Sequence, residues 1–112
     1  MALRPAEWSV VASAVAGVAT ATRAAEPGRR HYITGVTLSG AAAPAAAVSA
    51  QVRDSAGANI RDQIEIPAAI FPPIIPEYES PIEGPSGASV DVTLPSLGGA
   101  VRGTATIRGY TL

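Results

Sequence analysis

The side chains able to carry chemistry in this sequence are few, and each has a plainer explanation. A nucleophile needs a nearby base, and the single histidine, His31, follows Arg29 and Arg30 at the head of a β-branched run. That setting fits a surface or strand-edge histidine better than a general base. Glu77, Glu79 and Glu83 surround Tyr78; two such carboxylates flanking a sugar would be the acid and base of a glycosidase. An irregular proline-rich stretch fixes no separation between them, so a solvated acidic loop accounts for them. Asp54, Asn59 and Asp62 offer oxygen ligands for calcium but lack the alternating acids and closing glutamate of an EF-hand loop. Turn formation explains Asp54 and Asn59 without a metal. Trp8 is a candidate carbohydrate anchor, yet a lone tryptophan near a terminus more often packs across a subunit or sheet edge. No glycine-rich phosphate loop follows any strand. The inventory calls for no catalytic residue, no cofactor and no metal.

What remains is a framework. The 112 residues suit one domain spanning 1–112, and 47% of them are apolar, but much of that is alanine and aromatics are only 4%. Small side chains bury little area each, so the core is thin, and further burial is expected from an oligomer or a larger partner. The net charge is −1 with arginine as the only strong base, so there is no basic field for nucleic acid. Without cysteine there is neither disulfide nor thiolate chemistry. The run from Trp8 to Ala21 imitates a signal peptide, but Glu7 interrupts the charged region around Arg4, and Ser9, Ser13 and Thr20 dilute the apolar run. The expectation is a chain made in the cytoplasm, with Met1 retained. The run is too short and too weakly apolar to span a bilayer, so no membrane partner is expected.

The most unusual segment is Ile66 to Gly87, which holds six of the ten prolines beside Ile70, Phe71, Ile74, Ile75 and Ile82. Proline removes donors and fixes φ, so residues 66–87 form neither a regular helix nor a central strand. They are also too rich in large aliphatics to be left in water. The segment therefore lies as an extended arm on its own β-framework or on a neighbouring subunit. In the second case the partner interface comprises Trp8, Ile70, Phe71, Ile74, Ile75 and Tyr78.

Elsewhere the dominant period is two. Ala46, Val48, Ala50 and Val52 alternate with Ala47, Ser49, Gln51 and Arg53, which reads as a half-buried strand. After the turn chemistry of Asp54 to Asn59, Ile60, Ile64 and Ile66 share a face with Asp62 as the one polar intruder, giving a hairpin. Val90, Val92 and Leu94 alternate again. After Pro95 to Gly99, Val101, Ala105 and Ile107 oppose Arg102, Thr104, Thr106 and Arg108, which reads as a second hairpin. His31 to Ser39 is apolar on both faces, as in a central strand covered on each side. Alanines and the start at Pro5 permit a helix over Glu7 to Ala25, but Val10, Val11, Val15, Val18, Thr20 and Thr22 favour two short strands. Residues 1–16 are then an N-terminal arm or edge strand. Seven or eight strands indicate an all-β, antiparallel sandwich or jelly roll.

The order GRRHYITGVTLSG (Gly28 to Gly40), AAVSAQVRD (Ala46 to Asp54), PIEGPSGASVDVTL (Pro81 to Leu94) and a closing GYTL (Gly109 to Leu112) resembles small virion structural proteins of tailed bacteriophages. The resemblance spans roughly residues 17 to 112. It implies a β-sandwich module of a head or tail, nearest to the capsid decoration or cement proteins. These are implied to sit between major capsid subunits and to resist internal pressure, with no catalytic residues to carry over. The partners so implied are a major capsid protein and further copies of the chain, as a trimer at three-fold sites, and the place is the virion. The alternative from a different class is a carbohydrate- or receptor-binding sandwich, motivated by Trp8, Tyr32, Tyr78 and Tyr110.

Overall fold

A computed structural model describes residues 7–68 and 71–112. Eight strands form an all-β sandwich: β1 (Glu7–Val15), β2 (Ala19–Arg23), β3 (His31–Gly40), β4 (Val48–Asp54), β5 (Asn59–Ile66), β6 (Glu77–Glu83), β7 (Val90–Leu94) and β8 (Arg102–Thr111). One antiparallel sheet has the order β1-β8-β3-β6 and the other β2-β7-β4-β5. Thus β1 pairs with β8, β2 with β7, β3 with β6 and β4 with β5. The chain is one long hairpin wound into two sheets, the strand arrangement of a jelly roll.

Alternation decides which side chains enter the space between the sheets. Ala19 and Ala21, Ala50 and Val52, Val90, Val92 and Leu94, and Ala105 and Ile107 are all buried there. Ile33, Val36 and Leu38 of β3 complete the centre with Ile66 and Leu97. Alanine supplies much of this layer, so the core is as thin as the composition implies.

The N-terminal region is two strands, β1 and β2, joined through Ala16 at φ 56°. The β4–β5 hairpin forms, but the expected second hairpin does not. The residues between β7 and β8 instead cross from one sheet to the other. Both strands have inward-facing apolar residues, and alternation alone cannot tell which sheet receives them.

Two bulges shift the faces. In β5 the register slips opposite Val52 and Arg53, so that Asp62 faces Val52 while Ile60 pairs with Arg53. Ile60 is therefore turned to the outside and exposed, not placed with Ile64 and Ile66. In β3 the slip lies between Ile33 and Gly35. Before it His31 and Ile33 point inward, and after it Val36 and Leu38 do. This change of phase makes the strand look apolar on both faces, although among the described residues no second layer covers its outer face.

The proline-rich segment lies on its own framework. Ile74 and Leu38 exchange both backbone hydrogen bonds, at 2.9 and 2.8 Å, and the Val36 N–H donates to the Pro76 carbonyl at 3.1 Å. The segment thus continues the β6 edge of the sheet along β3, where prolines are tolerated because few N–H groups are needed there.

Candidate functional site

The sequence-predicted interface residues are not brought together on one surface. Trp8, Phe71, Ile74 and Tyr78 are half-buried and pack against the core. Phe71 lies against Gly40, where an added Cβ would come within 2.8 Å of its ring. Ile75 alone points outward, 56% exposed. Ile70 lies outside the described residues.

His31 is fully buried, contrary to the surface or strand-edge position expected of it, and both ring nitrogens are engaged. Nε2 is 2.7 Å from the Ala24 carbonyl, which can only accept, so Nε2 carries the proton. Nδ1 then accepts from the Thr111 hydroxyl at 2.7 Å, and that hydroxyl accepts from Trp8 Nε1 at 2.9 Å. Trp8 meets the imidazole edge-on at 5.7 Å and carries the Arg23 guanidinium 5.5 Å from its ring centroid. Sequence adjacency to Arg29 and Arg30 gave no sign of this; the signal was phase, since His31 shares the inward face of Ile33. A histidine so enclosed has no free nitrogen for a substrate.

The oxygen cluster is likewise consumed. Asp54 accepts from Asn59 Nδ2 at 2.8 Å and from Arg61 Nη1 at 2.7 Å. Burial pushes its carboxyl upward, but hydrogen bonds from Asn59, Arg61 and Ser55 outweigh this and hold it below the usual carboxylate value. Asp62 accepts from the Tyr78 hydroxyl at 2.7 Å and from its neighbour Gln63 N–H. Burial and this carboxylate raise the Tyr78 phenol well above its ordinary value. Both carboxylate oxygens of Asp54 are thus engaged by protein donors, Oδ1 by Asn59 and Oδ2 by the Arg61 guanidinium. Among the described residues no group of three or more acidic or imidazole side chains is placed to hold a metal. The exposed Glu83 accepts from Arg30 at 3.2 Å and from the Tyr32 hydroxyl at 3.4 Å.

Two features of the outer face of the β1-β8-β3-β6 sheet remain. Tyr32 and Tyr110, paired across β3 and β8, stack at 5.0 Å with planes 10° apart. Beside them a hollow of about 300 Å³ is lined by Glu7, Trp8, Ser9, Thr34, Arg108 and Gly109. Arg108 is held over Gly35, hydrogen-bonded to the Thr37 hydroxyl at 2.5 Å and the Val36 carbonyl at 3.3 Å. Gly109 is required beneath the hollow, since any Cβ there would strike the Tyr32 carbonyl and the Trp8 ring. The second feature is apolar: Val11, Val15 and Val18 are 63%, 48% and 60% exposed along β1 and the turn after it.

No family profile matches the chain, and no curated protein sequence does. Solved structures do. A chain in the "acidic stable" capsid structure of Helicobacter pylori bacteriophage KHP30 matches with a TM-score of 0.60 and 10% identity, over 96% of this chain and 90% of that one. The Drosophila NLP core, described as giving insight into pentamer formation and histone binding, matches at 0.50 and 16%, over 96% and 98%. A CBM36 carbohydrate-binding module in complex with calcium and xylotriose matches at 0.43 and 12%, over 88% and 76%. At these identities the likeness to the first two is one of fold alone, and the chain itself is an antiparallel β-sandwich.

Proposed function

We propose that this chain is a non-enzymatic virion structural protein, a capsid decoration or cement protein that seats between major capsid subunits and stabilises the head. The observation that carries the reading is the likeness to a phage capsid chain over nearly the full length of both chains. The engagement of His31, Asp54 and Asp62 within the fold supports a role in assembly over chemistry. The exposed Val11, Val15, Val18 and Ile75 offer apolar surface for neighbours. The test is co-purification: the protein should be recovered in fixed stoichiometry with intact, DNA-filled heads, and heads lacking it should burst at lower temperature. Recovery with tails alone, or with neither, overturns the decoration role.

A second reading is a carbohydrate-binding module of a tail or surface appendage. It is favoured by the hollow between Glu7, Ser9, Thr34 and Arg108, whose carboxylate, hydroxyls and guanidinium could engage a sugar's hydroxyls. Against it, Tyr32 and Tyr110 stack on each other and do not line the hollow. Binding to immobilised glycans that is lost in Arg108→Ala would support this reading over the first.

A further inference from the structure

Each sheet of the sandwich ends in two edge strands, and three of the four carry devices that discourage pairing. Strand β6 contains Pro81 and three glutamates, Glu77, Glu79 and Glu83. Strand β5 carries Arg61, Asp62 and Glu65 and is distorted by its bulge. Strand β2 is only five residues long and ends in Arg23. These are the usual protections of an exposed edge.

Strand β1 has only one of them, the charge of Glu7 at its first residue. It is nine residues long, pairs with β8 along its whole length and terminates its sheet. No charged residue or proline occurs from Trp8 to Thr22. Among the described residues nothing pairs with its outer edge, and its inward residues Trp8, Val10, Ala12 and Ala14 are only half-buried although they face the core.

We infer that this edge binds the same edge of a second copy of the chain, antiparallel about a two-fold axis through Val11. Directly opposed residues of an antiparallel pair point to the same face, so the residue numbers of each pair must sum to an even number if the two sheets are to join with their cores on one side. The sum 22 uses all nine residues. On the outer face it sets Val11 against Val11, Ser9 against Ser13 and Glu7 against Val15. On the inner face it sets the large Trp8 against the small Ala14 and Val10 against Ala12. No like charges meet, and the exposed Val11 gains an apolar neighbour. An isologous interface of this type closes on itself, so it yields a dimer with one eight-stranded sheet and not a filament. This two-fold contact is independent of the decoration role, and it replaces the three-fold self-association that the phage resemblance implies.

The chain has no cysteine, so an introduced thiol reports the axis directly. In Val11→Cys the two thiols would face each other across strands whose opposed Cα atoms are about 4.5–5.5 Å apart. Sedimentation of the unmodified full chain should give twice the 11.3 kDa chain mass. Mild oxidation should convert Val11→Cys to a covalent dimer and leave Ser9→Cys unlinked, because Ser9 opposes Ser13. Val11→Lys sets two ammonium groups against each other at the axis and should sediment as a folded monomer with an unchanged circular dichroism spectrum. A chain that is monomeric at all concentrations with no Val11→Cys dimer overturns the inference. So does equally fast cross-linking of Ser9→Cys, a Val11→Lys variant that remains dimeric, or Val11→Cys that cross-links only to a different protein.

Discussion

The Tyr78 hydroxyl on β6 donates to the Asp62 carboxylate on β5 at 2.7 Å, joining the two sheets along the side where each ends. Arg61 adds a second link beside it, donating to the Glu83 carbonyl at 2.8 Å. Asp62 is thus the polar residue on an apolar face because its partner comes from the opposite sheet.

Tyr78→Phe should therefore cost about 1.5–3 kcal/mol, the range for a hydrogen bond to a charged group. It should also speed amide exchange at Ile74 and Val36, whose N–H groups hold the proline segment to β3. Because the folded-state phenol is raised above 10.0, its contribution is complete below that pH and is lost as pH rises through the folded value. The alkaline decline of stability should flatten in Tyr78→Phe, and urea midpoints between about pH 8 and 11 would measure it.

At the acid end the sign reverses. Asp54 is held below its ordinary 3.8, so its contribution is complete above that pH and is lost as pH falls through the lower folded value. Asp54→Asn should lower stability at pH 7, because Arg61 loses its carboxylate, and should flatten the loss seen below about pH 4. Thermal unfolding at pH 7, 4 and 3 would show whether the two curves converge.

The Trp8–Thr111–His31 chain should behave as a unit. Thr111→Val keeps the shape and removes the one hydroxyl that accepts from the indole and donates to the imidazole. It leaves a buried imidazole acceptor and a half-buried donor without partners, at a cost of about 1–3 kcal/mol each before relaxation. The single tryptophan makes the effect visible as a shift in fluorescence emission, and a spectrum identical to that of the unmodified protein would contradict the network.

Strand positions were legible wherever a face alternated without interruption: Val48 to Val52, Val90 to Leu94 and Val101 to Ile107 are inward or outward as their spacing requires. The errors at Ile60 and along His31 to Ser39 both fall at bulges, where one extra residue reverses the phase and no residue type announces it. The mistaken second hairpin reflects a different limit, because pairing partners are set by the wound topology and not by the turn at Pro95 to Gly99. Of the interface residues, the sequence showed that the proline segment needs a surface. It could not show that the surface is β3, because backbone bonds such as Ile74 to Leu38 are made by atoms every residue shares.

That placement separates two kinds of arm residue. Ile74 packs on the core between backbone bonds to Leu38, so Ile74→Asp would bury a charge without a partner and should unfold the isolated protein or cost several kcal/mol. Ile75, next to it, is 56% exposed, so Ile75→Asp should change the stability by no more than about 0.5 kcal/mol, the scatter of other surface substitutions. If the proline segment touches a capsid subunit, Ile75→Asp should nevertheless weaken attachment to heads, because the charge must then be desolvated at the contact. Parallel melting and head-binding measurements on the two variants decide the matter. A folded Ile75→Asp that binds heads normally would leave the valine stripe of β1 as the apolar surface to test next.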